Sequence, residues 1–311
     1  MSLDRAALDA AAARSAHVAA SFAEHPVNRM LRAAFAGEDV ERLAGAAERL
    51  LTQAEWVEEL LAPMITALRA EPLFEPAFEA QRDAARFSTV LFDQPSVTIT
   101  ATVLSADALA SAGPARQVAV SGRFSVIRYA RAGGAHRRVW AAEPAGPDFR
   151  ASRAERCRWL GAAALADGDV VRLDGRTHGQ VIAGATSDLL TLTATIRTGA
   201  SPYVREYATA DGTLLRCAML DERPARTQLL LAYLRLAGRK DAGACFAAAA
   251  CDDAFFLRWP AMREWLALDA AVALPQLRAM AKDDPHDEVR AAARTTLAMI
   301  DARREVSTCR V

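Results

Sequence analysis

Thirty residues from Asp167 to Ile196, DGDVVRLDGRTHGQVIAGATSDLLTLTATI, constrain this chain more than any other stretch. They hold a turn, a strand, a second turn, a lone His178 and a longer alternating strand. In that last strand Leu190, Leu192, Ala194 and Ile196 fall on one face, and Thr191, Thr193 and Thr195 on the other. Such a strand buries its apolar side and wets the other, or lines a polar cavity with its threonines.

The same period of two extends through the middle of the chain. Val97–Val103 (VTITATV), Gln117–Val120, Phe124–Ala130, His136–Ala142, Asp169–Leu173, Gly179–Ile182, Leu189–Ile196, Tyr203–Ala208 and Thr213–Ala218 all read as strands, with turns at Gly113-Pro114, Gly122 and Gly133-Gly134. About nine short strands at this spacing predict a sandwich or barrel.

On both sides the period is helical. Before Ala70 the apolar residues Val40, Leu43, Ala47, Leu50 and Leu51, and then Trp56, Leu60, Leu61, Met64 and Leu68, recur at helical spacing, punctuated by Pro26, Gly37 and Pro63. Residues 71–86, rich in Pro and Phe, read as a connector. After Pro224, helices are expected at Thr227–Leu236, Ala242–Ala250, Pro260–Asp269, Leu274–Ala281 and Glu288–Ile300. The predicted class is therefore α+β. A helical region (1–86), a β domain forming a barrel or sandwich (87–223) and a second helical region (224–311) follow one another.

Lys plus Arg and Asp plus Glu number 38 each, so no global positive field draws nucleic acid or an anionic membrane surface, and neither is expected as a partner. A protein or small-molecule ligand of unknown identity is expected instead. Neither a leader nor a membrane-spanning run is read in the chain, which leads us to expect a cytoplasmic protein. Cys157, Cys217, Cys245, Cys251 and Cys309 show no CxxC spacing and read as reduced thiols. Cys157 lies in ERCRW, an Arg-rich setting that would lower its pKa and make it reactive.

Arg123, Arg128, Arg131, Arg137 and Arg138 crowd two adjacent strands. Pointing inward beside Tyr129 or Trp140, they would clamp a carboxylate or phosphate, so Arg128, Tyr129, Arg138 and Trp140 are the candidate ligand-binding residues. The alternative is a solvated edge whose Arg stems cover apolar surface. Arg205 and Glu206 are expected to pair with each other or with that group. His17, His25 and His286 fall in helical or capping contexts. No phosphate loop, dinucleotide fingerprint, nucleophile elbow or HExxH occurs.

Gly168, Asp174-Gly175 and His178, followed by PYVREYATADGTLLR, resemble the second half of a cupin, and that last segment is similar to the tail of thiol-dioxygenase-type cupins. The resemblance covers about residues 90–218 and implies a double-stranded β-helix barrel. In that family two alternate histidines and a glutamate in a first motif, with a third histidine in a second, hold iron, nickel, zinc or a similar divalent ion such as manganese. On HRRVWAAE the resemblance places His136 at the first ligand, Arg138 at the second and Glu143 at the glutamate, with His178 last. Arg138 has no lone pair to give a metal. Strand alternation also turns His136, Arg138 and Trp140 one way and Arg137, Val139 and Glu143 the other.

The final helices resemble a HEAT repeat at Asp284-Pro285, Val289-Arg290, Ala293 and Leu297-Ala298, preceded by Trp265, Leu266, Leu274 and Leu277. The resemblance covers roughly residues 227–302 and implies an interaction surface. These features together favour a degenerate, non-catalytic cupin-like binding module that needs no cofactor. The alternative is a non-haem-iron type oxygenase retaining His136 and His178 as ligands.

Overall fold

The computed structural model describes residues 5–308 apart from residues 72, 77, 147, 148 and 222. Cys309 lies outside the described residues. The chain divides into two compact units, residues 1–145 with 150–218, and residues 146–149 with 219–311.

The first unit opens with α1 (Arg5–Ala23), α2 (Pro26–Ala34), α3 (Val40–Thr52) and α4 (Glu55–Ala70). Local chemistry sets these boundaries. His25 is the N-cap of α2, its Nδ1 accepting from the Val27 N–H at 3.3 Å, and Pro26 at the first helical position has no N–H to leave unpaired. Asp39 caps α3 through the Arg42 N–H at 2.7 Å. Pro63 lies inside α4 and does not end it.

Twelve strands follow among the described residues: β1 (Ala80–Arg82), β2 (Arg86–Gln94), β3 (Val97–Leu104), then, after α5 (Ala106–Ala112), β4 (Gln117–Val120), β5 (Phe124–Arg131), β6 (His136–Ala141), β7 (Arg158–Ala164), β8 (Val170–Asp174), β9 (His178–Ala183), β10 (Leu189–Ile196), β11 (Tyr203–Ala208) and β12 (Leu214–Met219). One sheet runs β1-β2-β3-β10-β5-β8, and two further ladders run β12-β11-β4 and β7-β6-β9. The two ladders meet where Gly179 of β9 lies against Ala119 of β4, a Cβ there being only 2.6 Å from the Ala119 carbonyl oxygen. From β3 to β10 the chain thus supplies the order 3-10-5-8 to one layer and 4-9-6-7 to the other. That interleaving of antiparallel strands is the double Greek key of a jelly roll, with β1, β2, β11 and β12 extending its edges.

Each face of the first sheet has a distinct role. Val97, Ile99, Phe124, Val126, Leu192, Ala194 and Ile196 pack under Leu31, Phe35, Leu43, Ala47 and Leu51 of the helices, so the amino-terminal helices and this sheet share one core. The opposite face carries Ile127 and Tyr129, which meet Ile182 of the second layer. Register places Thr191 opposite Tyr129 and Thr102, Thr193 opposite Ile127 and Thr100, and Thr195 opposite Ser125 and Thr98. The threonines of β10 therefore line the interior between the layers, and the apolar side of the same strand is covered by helix.

The second unit contains α6 (Arg223–Leu236), α7 (Gly243–Ala250), α8 (Phe255–Asp283) and α9 (Asp287–Thr308). Asp269, at φ −153° and ψ 87°, breaks α8 into two helical pieces, so the five expected helices are all present. Their core is Leu231, Phe246, Leu257, Met262, Trp265, Leu274, Leu277, Met280, Val289 and Ala293. No helix among the described residues is long and apolar enough to cross a membrane.

Candidate functional site

Strand alternation sorts the arginine-rich strands β5 and β6 into different surroundings. Arg128 turns to the helical side, where its Nη1 donates to the Leu51 and Thr52 carbonyl oxygens at 2.8 Å each. These are carbonyls of the last turn of α3, so Arg128 satisfies a helix C-terminus and is not part of a ligand clamp. Tyr129, the next residue, points between the layers and is 1% exposed. Its hydroxyl accepts from Gln180 Nε2 of β9 at 3.1 Å. Burial raises the Tyr129 pKa, opposed by the Gln180 hydrogen bond and the nearby Arg137 charge, so the phenol is neutral at ordinary pH.

Arg138 and Trp140 share the other face of β6. The Arg138 guanidinium lies 5.3 Å from the Trp140 ring centre and 5.2 Å from that of Trp159 on β7, and the two indoles meet edge to face at 4.8 Å. Trp140 is 2% exposed and Trp159 49%, so the stack is anchored at one end and open to solvent at the other. Cation–π contacts of this kind contribute about 0.5–1 kcal/mol each at exposed sites and fix the guanidinium in place.

Arg138 and Gln180 both reach a cleft of about 1120 Å³ that opens between β4 and β9 beyond Gly179. Leu104, Leu109, Val181 and Ile182 give it apolar walls, and Arg116, Gln117 and Glu206 add polar groups at its side. On the inward face of β9 the Gln180 Oε1 is buried without a hydrogen-bond partner among the described residues. If the amide is turned over, Oε1 meets the Tyr129 hydroxyl and the NH₂ is left unpaired; one half of the amide is unfilled either way. Gln180 escaped the sequence reading because it is not distinctive alone, and Arg137 stood there only as one of five arginines; the register Val139↔Gln180 and Arg137↔Ile182 shows that they face Tyr129.

The metal set suggested by the cupin resemblance is not assembled. In the β6–β9 ladder His136 pairs with Ala183 and Ala141 pairs with His178, so the two histidines stand at opposite ends, roughly 17 Å apart along the strand. They also face opposite ways: His178 alternates with Gln180 and Ile182, and His136 with Arg138. The His136 ring lies against Gly184, while His178 Nδ1 is 2.9 Å from the Thr177 hydroxyl. Glu143 Oε1 accepts from the Glu155 N–H at 2.9 Å. Among the described residues no group of three or more His, Cys, Asp or Glu side chains is placed to hold a metal.

Two further expectations are corrected. Arg205 and Glu206 do not pair; Arg205 is fully buried and donates to the Glu143 and Arg176 carbonyl oxygens and the Tyr207 hydroxyl, while Glu206 faces Arg216 at 3.9 Å. Cys157 is buried against Trp140 and Tyr207, and burial pushes its thiol pKa up, against the lowering expected from its arginine neighbours.

No family model matches this sequence, and no curated protein matches it. Solved structures do. The chain is 11% identical to a sugar phosphate isomerase of the cupin superfamily from Silicibacter pomeroyi, covering 47% of this chain and 90% of that one at a TM-score of 0.25. A cupin 2 conserved barrel domain protein from Rhodopseudomonas palustris matches at 11% identity, 49% and 85% coverage and a TM-score of 0.24. The 7S globulin of Momordica charantia matches at 13% identity and a TM-score of 0.28, over 43% of this chain and only 36% of its own length. At such TM-scores the likeness carries no argument, and the barrel rests on its strand order.

Proposed function

We propose that this protein is a binding module whose jelly-roll cleft takes a small ligand carrying a carboxylate or phosphate, without turnover. The observation that carries this reading is Arg138: two indoles hold its guanidinium at the cleft wall, and no hydrogen bond or ion pair to another described residue uses its five donors. On the opposite, inward face of the same ladder the Tyr129–Gln180 pair leaves an amide valence unfilled, which is costly when empty and would be satisfied by a ligand hydroxyl or amide. The apolar walls of the cleft fit an aliphatic body beside Arg138. In this reading the helical second unit, with its HEAT-like spacing, serves as an interaction surface.

An oxygenase would need a metal whose ligands converge, and His136 and His178 do not. The test is a titration of the intact protein with a panel of aliphatic carboxylates and phosphate esters, read by the fluorescence of Trp140 and Trp159. At least one should bind saturably, Arg138→Ala should weaken it by about tenfold or more, and Arg138→Lys should recover part of the loss. Metal-dependent oxygen consumption with a thiol or aromatic substrate would sink the reading.

A further inference from the structure

Helix α6 turns Leu231 into the core of the second unit, with Leu234 packed against that core. Its other side is uncovered. Leu229 is 72% exposed, Leu230 63%, Tyr233 67% and Leu236 75%, a stripe two turns long on a helix that carries apolar side chains on both its buried and its exposed side. Isolated exposed leucines need no explanation, but four adjacent large apolar side chains do.

Three features of the stripe select a second copy of the chain as its occupant. First, it is nearly palindromic: Leu230 and Leu236 lie three residues to either side of Tyr233. An antiparallel pair of α6 helices brings Leu230 of each copy against Leu236 of the other, with Tyr233 beside the axis, and a two-fold interface requires such self-matching. Second, three of the cations near the stripe have carboxylate partners within the chain, Arg223 with Asp252 at 2.9 Å, Arg235 with Glu264 and Arg239 with Asp241 at 2.7 Å. Those three cations bring no uncompensated charge to a second copy. Third, the four side chains leave roughly 400–500 Å² to cover per copy, or on the order of 1,000 Å² in total, which reaches the lower bound for a specific interface.

We propose that this protein forms a two-fold dimer through antiparallel packing of α6. The inference stands apart from the barrel cleft, whose residues all lie in the other unit. Sedimentation equilibrium of the full chain tests it directly. The expected mass is twice the 33.4 kDa of one chain in the micromolar range, falling toward one chain on dilution. The double variant Leu230→Glu/Leu236→Glu should sediment as a single chain throughout with an unchanged far-ultraviolet circular dichroism spectrum, and Leu230→Met/Leu236→Met should keep the doubled mass. A wild-type chain that stays monomeric into the high micromolar range overturns the proposal and gives the stripe to another occupant. So does a dimer that survives the double glutamate variant.

Discussion

Arg258 and Asp284 form a two-pronged ion pair, Nε to Oδ2 at 2.8 Å and Nη2 to Oδ1 at 2.7 Å, with both residues more than nine-tenths buried. The remaining arginine nitrogen donates to the Asp252 and Asp253 carbonyl oxygens, and Asp284 Oδ1 also accepts from the His286 N–H at 2.8 Å. The pair thus ties the start of α8 to the turn before α9. Removing one partner strands a charge in the interior, so Asp284→Ala should destabilise the helical unit by about 3–5 kcal/mol. Adding Arg258→Met to that variant should recover part of the loss. Urea unfolding followed by circular dichroism, fitted for two units, measures both; a loss under about 1 kcal/mol for the single variant would contradict a buried pair of this kind.

Arg128 holds the last turn of α3 to the first sheet through the Leu51 and Thr52 carbonyl oxygens. Arg128→Ala should therefore cost about 1.5–3 kcal/mol of stability in the first unit, the range for hydrogen bonds made by a charged donor. Ligand affinity should be unchanged, because the side chain is on the face away from the cleft. A selective loss of binding at full stability would return Arg128 to the clamp from which the structure removes it.

The strands most readily read from sequence are those with one buried face. From Leu192 to Ile196 burial alternates with residue type, and Tyr203–Ala208 also alternates in burial, although its buried face includes Arg205. β7, with the sequence RWLGAAA, was not legible because it is mostly exposed and carries no alternating β-branched residues. β1, in the span read as a connector, is three exposed residues long. The site was legible in part: the split of Arg138 and Trp140 from Arg137 and Val139 follows from period two alone. What period two does not tell is which face looks inward, and that decided against Arg128. Pairing was equally hidden, since a single sequence does not contain the β6–β9 register that separates His136 from His178.

Gly179 is where the two ladders of the second layer meet. A Cβ there would lie 2.6 Å from the Ala119 carbonyl oxygen and 2.7 Å from Val118 Cγ2, and neither is the far end of a flexible side chain. Gly179→Ala should push β4 away from β9 at a cost of about 1–3 kcal/mol and change the cleft's shape. Thermal unfolding and the fluorescence titration should move together. A variant with wild-type stability would show that β4 does not press on β9 at this point.

Cys157 and Tyr129 should govern behaviour on the alkaline side. Burial raises the pKa of both, and of Tyr207. The folded state therefore holds these protons more tightly than the unfolded chain does. Their contribution to stability is fully present below the ordinary thiol and phenol pKa values, and it is lost as pH rises through the raised ones. The first unit should accordingly hold its melting temperature from neutral to mildly alkaline pH and lose it above the ordinary phenol range. The same burial keeps the Cys157 thiol protonated and covered, whereas Cys245 and Cys251 are exposed. Iodoacetamide at neutral pH, followed by peptide mapping, should alkylate those two at least about tenfold faster than Cys157. Fast labelling of Cys157 would mean that its arginine neighbours, Arg156 and Arg158, outweigh desolvation, as the ERCRW setting alone suggests.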